Sequence, residues 1–363
     1  MFCVKNLKIK NFRCYKDKKI NFSDKINVIY GENAVGKTSI IEAIAYLGLC
    51  KSFRGAKDRD LIKIGEDYFF IKGEIEDNSQ EVVEIIASFS ENEKKIKKNN
   101  HVFKKLSEYI GYFNVVSFEP SDLDLIKGGP AERRRFLDLN ICQFSEKYLI
   151  SLMKYNKILK KRNDFLKQIE DLSEKNIEFL NVLDDALAKE ADIIIRSRLD
   201  FINNINKELN KVSMDLSLSK ESVFIEYTPS IYVENFLGAL KKKRKYDFIS
   251  KTTSVGPHRD DFVVKINNND ANLFASQGQT RTAVIAIKLS LAEYLNSERK
   301  NIVILLDDVF SELDAKRQNE LLLRIEKNKQ IFITTTSIDL INDEILNKSK
   351  VIKLEKETEV WAI

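Results

Sequence analysis

From residue 2 to residue 9 apolar and polar positions alternate (FCVKNLKI), the period of a β-strand with one buried face. The run INVIY (26–30) is more uniformly apolar, and Ile26, Val28 and Ile29 lead straight into a glycine-bounded loop. TSIIEAIAYLGL (38–49) then reads as a helix. Alternation returns in YFFIKGEIE (68–76) and EVVEIIASF (81–89), which predict antiparallel strands joined by the turn DNSQ; FNVVSF (113–118) is a further strand. Past residue 130 the period changes from two to helical. GGP (128–130) punctuates the change, with Pro130 suited to the first turn of a helix. Leu152, Leu159 and Leu166 recur every seventh position, as do Leu180, Leu187 and Ile194 with Leu183 between, and DLSEKN (171–176) breaks the two runs. The pattern predicts an antiparallel helical hairpin over 130–211, with arms of roughly 30 residues, or about 45 Å at 1.5 Å per residue; a plain helical bundle fits the same periodicity. The strand pattern returns over 252–266. IVILL (302–306) and QIFIT (330–334) are short continuous apolar runs, as for strands buried on both faces of a sheet, and are expected to share one with 26–30.

These elements predict an α/β head made of residues 1–128 and 252–363, with a mixed sheet and an antiparallel lobe. Residues 129–251 are then an inserted helical lobe carrying the hairpin. Composition supports packed domains: 43% of 363 residues are hydrophobic, and Gly (12) and Pro (4) are scarce, which excludes collagen-like or disordered sequence. Sixty Lys and Arg against 55 Asp and Glu give a formal charge of +5, which permits nucleic-acid binding without demanding it. No apolar run reaches bilayer-spanning length, and the first residues lack a secretory h-region. Cys3, Cys14, Cys50 and Cys142 form no CxxC pair, so they are expected as reduced thiols of a cytoplasmic protein without membrane contact.

Three motifs carry chemistry. GENAVGKT (31–38) fits G-x-x-x-x-G-K-[ST] between a strand and a helix, the context that makes a phosphate-binding loop. Gly31, Glu32, Asn33, Ala34, Val35, Gly36, Lys37, Thr38 and Ser39 are then the nucleotide cradle. Lys37 would bridge the β- and γ-phosphates of ATP and Thr38 would ligate Mg²⁺. IVILLDDVFSELD (302–314) is an apolar strand delivering two acids: Asp307 would hold Mg²⁺ and Asp308 would orient the attacking water. FASQGQTRTAVIAIKL (274–289) opens a helix on a small polar cluster, and Ser276, Gly278 and Gln279 would form an anion site at its N-terminus. Phosphate loop, large insertion, SQGQ, acid pair and SELD (311–314) in this order resemble the layout of an ABC-type ATPase head, and that resemblance implies that SQGQ of one chain completes the site of a second.

Longer segments are more specific. LKIKNFRCY, FEPSDLDLIKGGPAERRRFLD (118–138), TSVGPHRDDF (253–262), FASQGQTRT and LLDDVFSELD together resemble the RecF family, which belongs with the SMC-type DNA-repair ATPases, nearly end to end. The resemblance implies an ATP-dependent homodimer that binds double-stranded DNA at gaps or junctions, works with RecR and RecO to load recombinase, and hydrolyses ATP slowly. It implies that Arg13 lies near the nucleotide and that Thr335 or Thr336 senses the γ-phosphate where other ABC ATPases carry histidine. It also implies that the basic loop KSFRGAKDR, through Lys51, Arg54 and Lys57, contacts DNA; such loops are commonly just solvated. Thr280 departs from the family's usual second Gln, and Asp308 is shorter than the usual Glu.

Other features are less telling. KKIKK (94–98) and KKKRK (241–245) read first as solvated turns. Arg133, Arg134 and Arg135, near a helix start that disfavours cations, are expected in an internal salt-bridge network with an acid such as Asp122 or Asp138. His258 in GPHRDD lacks a second ligand at metal spacing and is expected to be structural. The rival functions are an ATPase subunit of another SMC-like or transporter-type complex, a scaffold that binds but never splits ATP, and a small-molecule kinase.

Overall fold

The chain is described by a computed structural model covering residues 2–76, 81–217, 220–298, 301–310, 313, 315–325 and 329–356. The turn expected at DNSQ and most of SELD lie outside the described residues. The alternating N-terminal segment forms β1 (Cys3–Phe12), which hairpins with β2 (Tyr15–Asn21); β3 (Ile26–Tyr30) runs through the glycine loop into α1 (Lys37–Leu49). Then come β4 (Tyr68–Glu76), β5 (Val82–Ser90), β6 (Glu93–Lys98), β7 (His101–Val102) and β8 (Asn114–Phe118). The helical stretch holds α2 (Asp124–Lys127), α3 (Pro130–Phe144), α4 (Glu146–Gln168) and α5 (Glu174–Leu216). It continues with β9 (Val223–Thr228), α6 (Phe236–Ser250), β10 (Asp261–Ile266), β11 (Asn269–Asp270), α7 (Ala271–Phe274) and α8 (Gln277–Ser297). The chain closes with β12 (Ile302–Asp307), α9 (Ala315–Ile325), β13 (Gln330–Thr335), α10 (Asp343–Leu346) and β14 (Ser349–Lys353).

Two compact units result: Met1–Asp122 with Ile285–Ile363, and Leu123–Val284. In the first, the parallel and antiparallel strands separate into two sheets. One is antiparallel, in the order β2-β1-β4-β5-β6-β7; the other is wholly parallel, β14-β3-β13-β12-β8. The expected partners 26–30, 302–306 and 330–334 are adjacent in it as β3, β12 and β13. Helix α1 packs on strands of both sheets and is buried nearly all round, which is why its sequence is apolar without a polar stripe. Close approach explains two glycines here. A Cβ on Gly73 of β4 would meet Leu47 Cδ1 at 2.6 Å, and one on Gly48 would meet the Phe113 carbonyl at 2.7 Å. Phe12, Tyr46 and Phe69 fill the space between α1 and the antiparallel sheet with edge-to-face rings 5.2–6.5 Å apart.

In the second unit the hairpin is α4 against α5. Its arms are unequal, 23 and 43 residues, and about 35 and 65 Å long at 1.5 Å per residue. The chain breaks between α3 and α4, where the Ser145 hydroxyl caps α4 by accepting from the Tyr148 N–H. The hairpin does not stand alone in this unit, for α6 packs along both arms. The second unit also runs on past residue 251, because β10 pairs with β9, a strand inside the expected insertion, and α7 packs on β10. The strand expected over 252–266 covers only Asp261–Ile266. Before it the chain turns at Gly256 (φ 130°) and is held as a loop by side-chain hydrogen bonds.

Candidate nucleotide site and the basic surfaces

The parallel sheet brings residues 269 positions apart to its carboxyl edge. Thr38 Oγ1 donates to Asp307 Oδ1 at 3.0 Å, and Thr334 Oγ1 donates to the same oxygen at 2.7 Å. The Asp308 N–H in turn donates to Thr334 Oγ1 at 3.0 Å. Strand register fixes this row, since Asp307 pairs with Thr334 and Leu306 with Phe118. Asp308 then turns off the strand with φ 56°, a left-handed conformation. Burial pushes the Asp307 carboxyl above its usual range, against the lowering pull of Thr334, Thr38 and the Arg54 charge. Thr335 lies beside Thr334; its hydroxyl donates to the Ser337 carbonyl at 2.9 Å, and its own carbonyl accepts the Gly31 N–H at 3.4 Å.

The loop from Gly31 to Gly36 has its special conformations at Ala34 (φ 66°) and Gly36 (φ 100°). A Cβ on Gly36 would stand 2.5 Å from the Tyr15 hydroxyl and 2.7 Å from Cys14 Sγ, so the β1–β2 turn fills the space a side chain would need. Tyr15 also donates to the Val35 carbonyl at 3.3 Å. Lys37 is 8% exposed, and its ammonium donates to the Gly31 and Glu32 carbonyls at 2.6 and 2.7 Å. Burial lowers its pKa, while the charges of Asp308 and Asp307 oppose that fall. Ser39 stands 3.8 Å from the Cys14 thiol. Cys14 is exposed, Cys3, Cys50 and Cys142 are buried, and all four are free thiols.

Arg13 sits at the same turn with φ 53°. Its guanidinium grips Glu42 of α1 with Nε at 2.7 Å and NH2 at 2.9 Å, and donates to the Asp60 carbonyl at 3.2 Å. Its bidentate fork is thus committed to a carboxylate that is 1% exposed. Lys51, Arg54 and Lys57 are exposed in the loop after α1, and Arg54 is close enough to Asp307 for its charge to act there. Two lysines of KKIKK are held within the unit: Lys94 by Asp58 at 2.9 Å and the Tyr46 ring, Lys98 over the Tyr112 ring at 3.7 Å.

In the second unit the SQGQ segment opens α8 with a reciprocal cap. Ser276 Oγ accepts the Gln279 N–H at 3.2 Å, and Gln279 Oε1 accepts the Ser276 N–H at 3.0 Å. Ser276, Gln277 and Gly278 are exposed, and a Cβ on Gly278 would find only Ser276 Oγ, at 4.0 Å. Leu273 and Phe274 just before them are also exposed. Thr280 is buried, its hydroxyl donating to the Ser276 carbonyl at 2.9 Å.

Arg133 and Arg134 enter an internal network, though not with the acids expected. Arg133 is bidentate to Asp261 at 2.6 and 3.0 Å, and Arg134 donates to the Asp260 carbonyl at 2.9 Å. Asp138 instead meets Arg198 at 2.8 Å, and Asp122 meets Lys288 at 2.6 Å. His258 Nδ1 lies 2.7 Å from the Tyr155 hydroxyl and Nε2 lies 2.9 Å from the Thr253 carbonyl. The carbonyl can only accept, so the Nε2–H donates and Nδ1 takes the tyrosine proton; burial lowers the histidine pKa and keeps it neutral.

Sequence reasoning gave no role to Tyr15 or Glu119, and it singled out the threonine run 334–336 without the role of Thr334 beside Asp307. Glu119 follows Phe118, the strand partner of Leu306, and burial together with Asp122 pushes its carboxyl to about 7. Thr334 is placed by sheet register, Glu119 by following the last residue of β8, and Tyr15 by the β1–β2 turn that packs on the glycine loop, none of which the spacing of motifs along the chain displays. Among the described residues no group of three His, Cys, Asp or Glu could hold a metal alone. Thr38 and Asp307, already joined, offer two oxygens suited to a hard cation shared with phosphate and water.

Residues 3–359 match the family described as the RecF/RecN/SMC N terminal domain. A DNA replication and repair protein RecF from Bacillus cytotoxicus is 38% identical over 366 residues, covering 98% of this chain and 97% of that protein. The solved structure of the recombination mediator protein RecF-ATP in the RecFOR pathway superposes with a TM-score of 0.87 at 36% identity, covering 94% of each chain. The Smc head domain from Pyrococcus furiosus, at 16% identity and a TM-score of 0.55 over 98% of this chain and 94% of that one, shares the fold.

Proposed function

The chain belongs to the RecF/RecN/SMC N-terminal domain family, as a RecF-type ATPase of recombination repair, and from that premise we propose that it is an ATP-switched DNA clamp with slow ATPase activity. The observation that carries the reading is the Thr38–Asp307–Thr334–Asp308 row beside the buried Lys37. The solved RecF-ATP relative supports ATP as the nucleotide.

In this reading the backbone of residues 31–38 and the positive end of α1 bind the phosphates, and Lys37 turns from its two loop carbonyls to the β- and γ-oxygens. Thr38 and Asp307 would hold Mg²⁺, which supplies charge neutralisation to the phosphates when bound. Asp308 orients water towards the γ-phosphorus, and its short side chain fits slow turnover. Thr334 locks the Asp307 carboxylate and the Asp308 backbone in one arrangement, and Thr335 or Thr336 senses the γ-phosphate from the next positions. Ser276, Gly278 and Gln279 serve a second copy of the chain: their exposed helix N-terminus completes the partner's site, so ATP joins two heads. Double-stranded DNA, at gaps or junctions, is held by the ATP-bound dimer with Lys51, Arg54 and Lys57 on its phosphates, in the cytoplasm, with RecR and RecO as the protein partners.

Sedimentation of the Asp308→Asn protein with a short labelled duplex, in ATP and then in ADP, tests this. A dimer carrying duplex in ATP alone is expected, with turnover reduced about a hundredfold or more from wild type. A protein that stays monomeric in ATP, or binds duplex equally in both nucleotides, overturns the switch.

A further inference from the structure

The charge of the second unit is segregated. Helix α4 carries six lysines and one arginine against two acids, a net +5, and α6 carries four lysines and one arginine against one acid, a net +4. These two helices hold +9 in a chain whose total is +5, so the remainder is net negative.

Where the acids go decides what this excess can do. Arg162 of α4 and Arg244 of α6 are drawn inward by Asp184 and Asp247, all within 2.6–2.8 Å, and both acids are fully buried. The network thereby occupies Asp247, the one acid of α6, and draws in both arginines, leaving the lysines outside. Lys154 and Lys167 have weak pairs at 3.9 Å. Lys157, Lys160, Lys161, Lys241, Lys242 and Lys245 are exposed and make no ion pair among the described residues.

The two sets run side by side. Asp247 meets Arg162, and four residues on Lys251 donates to the Ile169 carbonyl at 3.2 Å, so α6 follows α4 in the same direction. Lysines three or four residues apart, such as Lys157 with Lys160 and Lys161 or Lys241 with Lys245, repel each other on a helix, at a few tenths of a kcal/mol per pair. A strip of cations about 15 Å long, from Lys157 to Lys167, matches roughly four phosphates of one duplex strand at ~3.4 Å each.

We infer that the exposed faces of α4 and α6 together form a contact for the phosphate backbone of duplex DNA, separate in sequence from the loop of Lys51, Arg54 and Lys57. The contact reads charge and not sequence, because lysine ammoniums without a planar fork give position without base discrimination. It rests on the DNA-clamp reading above.

The test is the salt dependence of duplex binding by full-length protein in ATP. It compares wild type, Lys241→Ala/Lys242→Ala/Lys245→Ala and Lys157→Ala/Lys160→Ala/Lys161→Ala. Alanine keeps both helices and removes no ion pair, so unchanged thermal melting and unchanged DNA-free ATPase are expected. The slope of log affinity against log salt should fall by about 2 to 3 in each triple variant, with roughly tenfold or greater loss of affinity at ~0.1 M salt. Slopes equal to wild type overturn the surface while leaving the clamp intact. So does an unchanged DNA slope with lost binding to phosphatidylglycerol vesicles, which assigns the strip to a membrane. A wild-type protein that binds no duplex in either nucleotide overturns the clamp reading itself, and this inference with it.

Discussion

Gly36 shows how one position can govern the candidate site. Its φ of 100° and the Tyr15 hydroxyl, 2.5 Å from where a Cβ would be, impose two separate penalties on any side chain. Gly36→Ala is therefore expected to bind a fluorescent ATP analogue at least tenfold more weakly, since strain alone costs about 1–2 kcal/mol. Removing the clash with Tyr15→Ala and Cys14→Ala in the same chain should recover only part of this; full recovery would show that backbone conformation plays no part. His258 makes a pH prediction. Its folded pKa is depressed below the unfolded value, so the unfolded chain takes up the proton first on acidification. Stability is then fully present above about pH 6.5 and is lost as pH falls below it. The thermal midpoint of the wild type should drop more between pH 7 and pH 5 than that of His258→Gln, and equal drops would contradict the neutral assignment.

Among the elements, the hairpin owes its internal order to charge as well as to leucines. Arg162, Asp184, Asp247 and Arg244 bring α4, α5 and α6 to one point. Arg162→Ala should lower unfolding stability by about 3–5 kcal/mol in urea, because two buried carboxylates lose a partner. A loss under about 1 kcal/mol would mean that apolar packing alone sets the register. The heptads announced the hairpin, but nothing in them announced unequal arms: Ser145 splits the first run by capping α4, a local hydrogen bond that outweighs continuing helical propensity. The apolar runs 302–306 and 330–334 were legible as strands of the P-loop sheet because burial on both faces leaves no polar alternation. Residues 253–260 misled as a strand, since Thr253 and His258 bond to side chains of the helix α4 and not to a strand ladder. Arg133 and Arg134 were legible as members of a network by helix-dipole reasoning, yet Asp261 as the acid of Arg133 required knowing that β10 comes to α3. Thr334 is a register effect of the same kind, invisible in a run of three threonines.

For the molecule as a whole, ligand linkage gives a direct reading. If the row at Thr38 and Asp307 binds Mg²⁺-ATP only when folded, nucleotide at a hundredfold excess over its dissociation constant adds about 2.7 kcal/mol. Calorimetry should show one transition rising with ATP concentration, and in Asp307→Ala that rise should disappear with the apo-protein melt retained. A nucleotide-dependent rise that survives Asp307→Ala would place binding elsewhere.

The order of strands in the parallel sheet also has a consequence in time. β3 lies between β14 and β13, and β8 pairs only with β12. Neither N-terminal strand touches the other, so every hydrogen-bonded neighbour they have is encoded after residue 300. During synthesis at about 5–20 residues per second, the apolar ladder of β3 therefore waits on the order of 15–50 s, while the antiparallel sheet, whose strands all precede residue 103, can already close. A nascent chain halted before β12 would hold 301 of the 363 residues, with a finished lobe and an orphaned glycine loop, and holdase chaperones should prefer that stage.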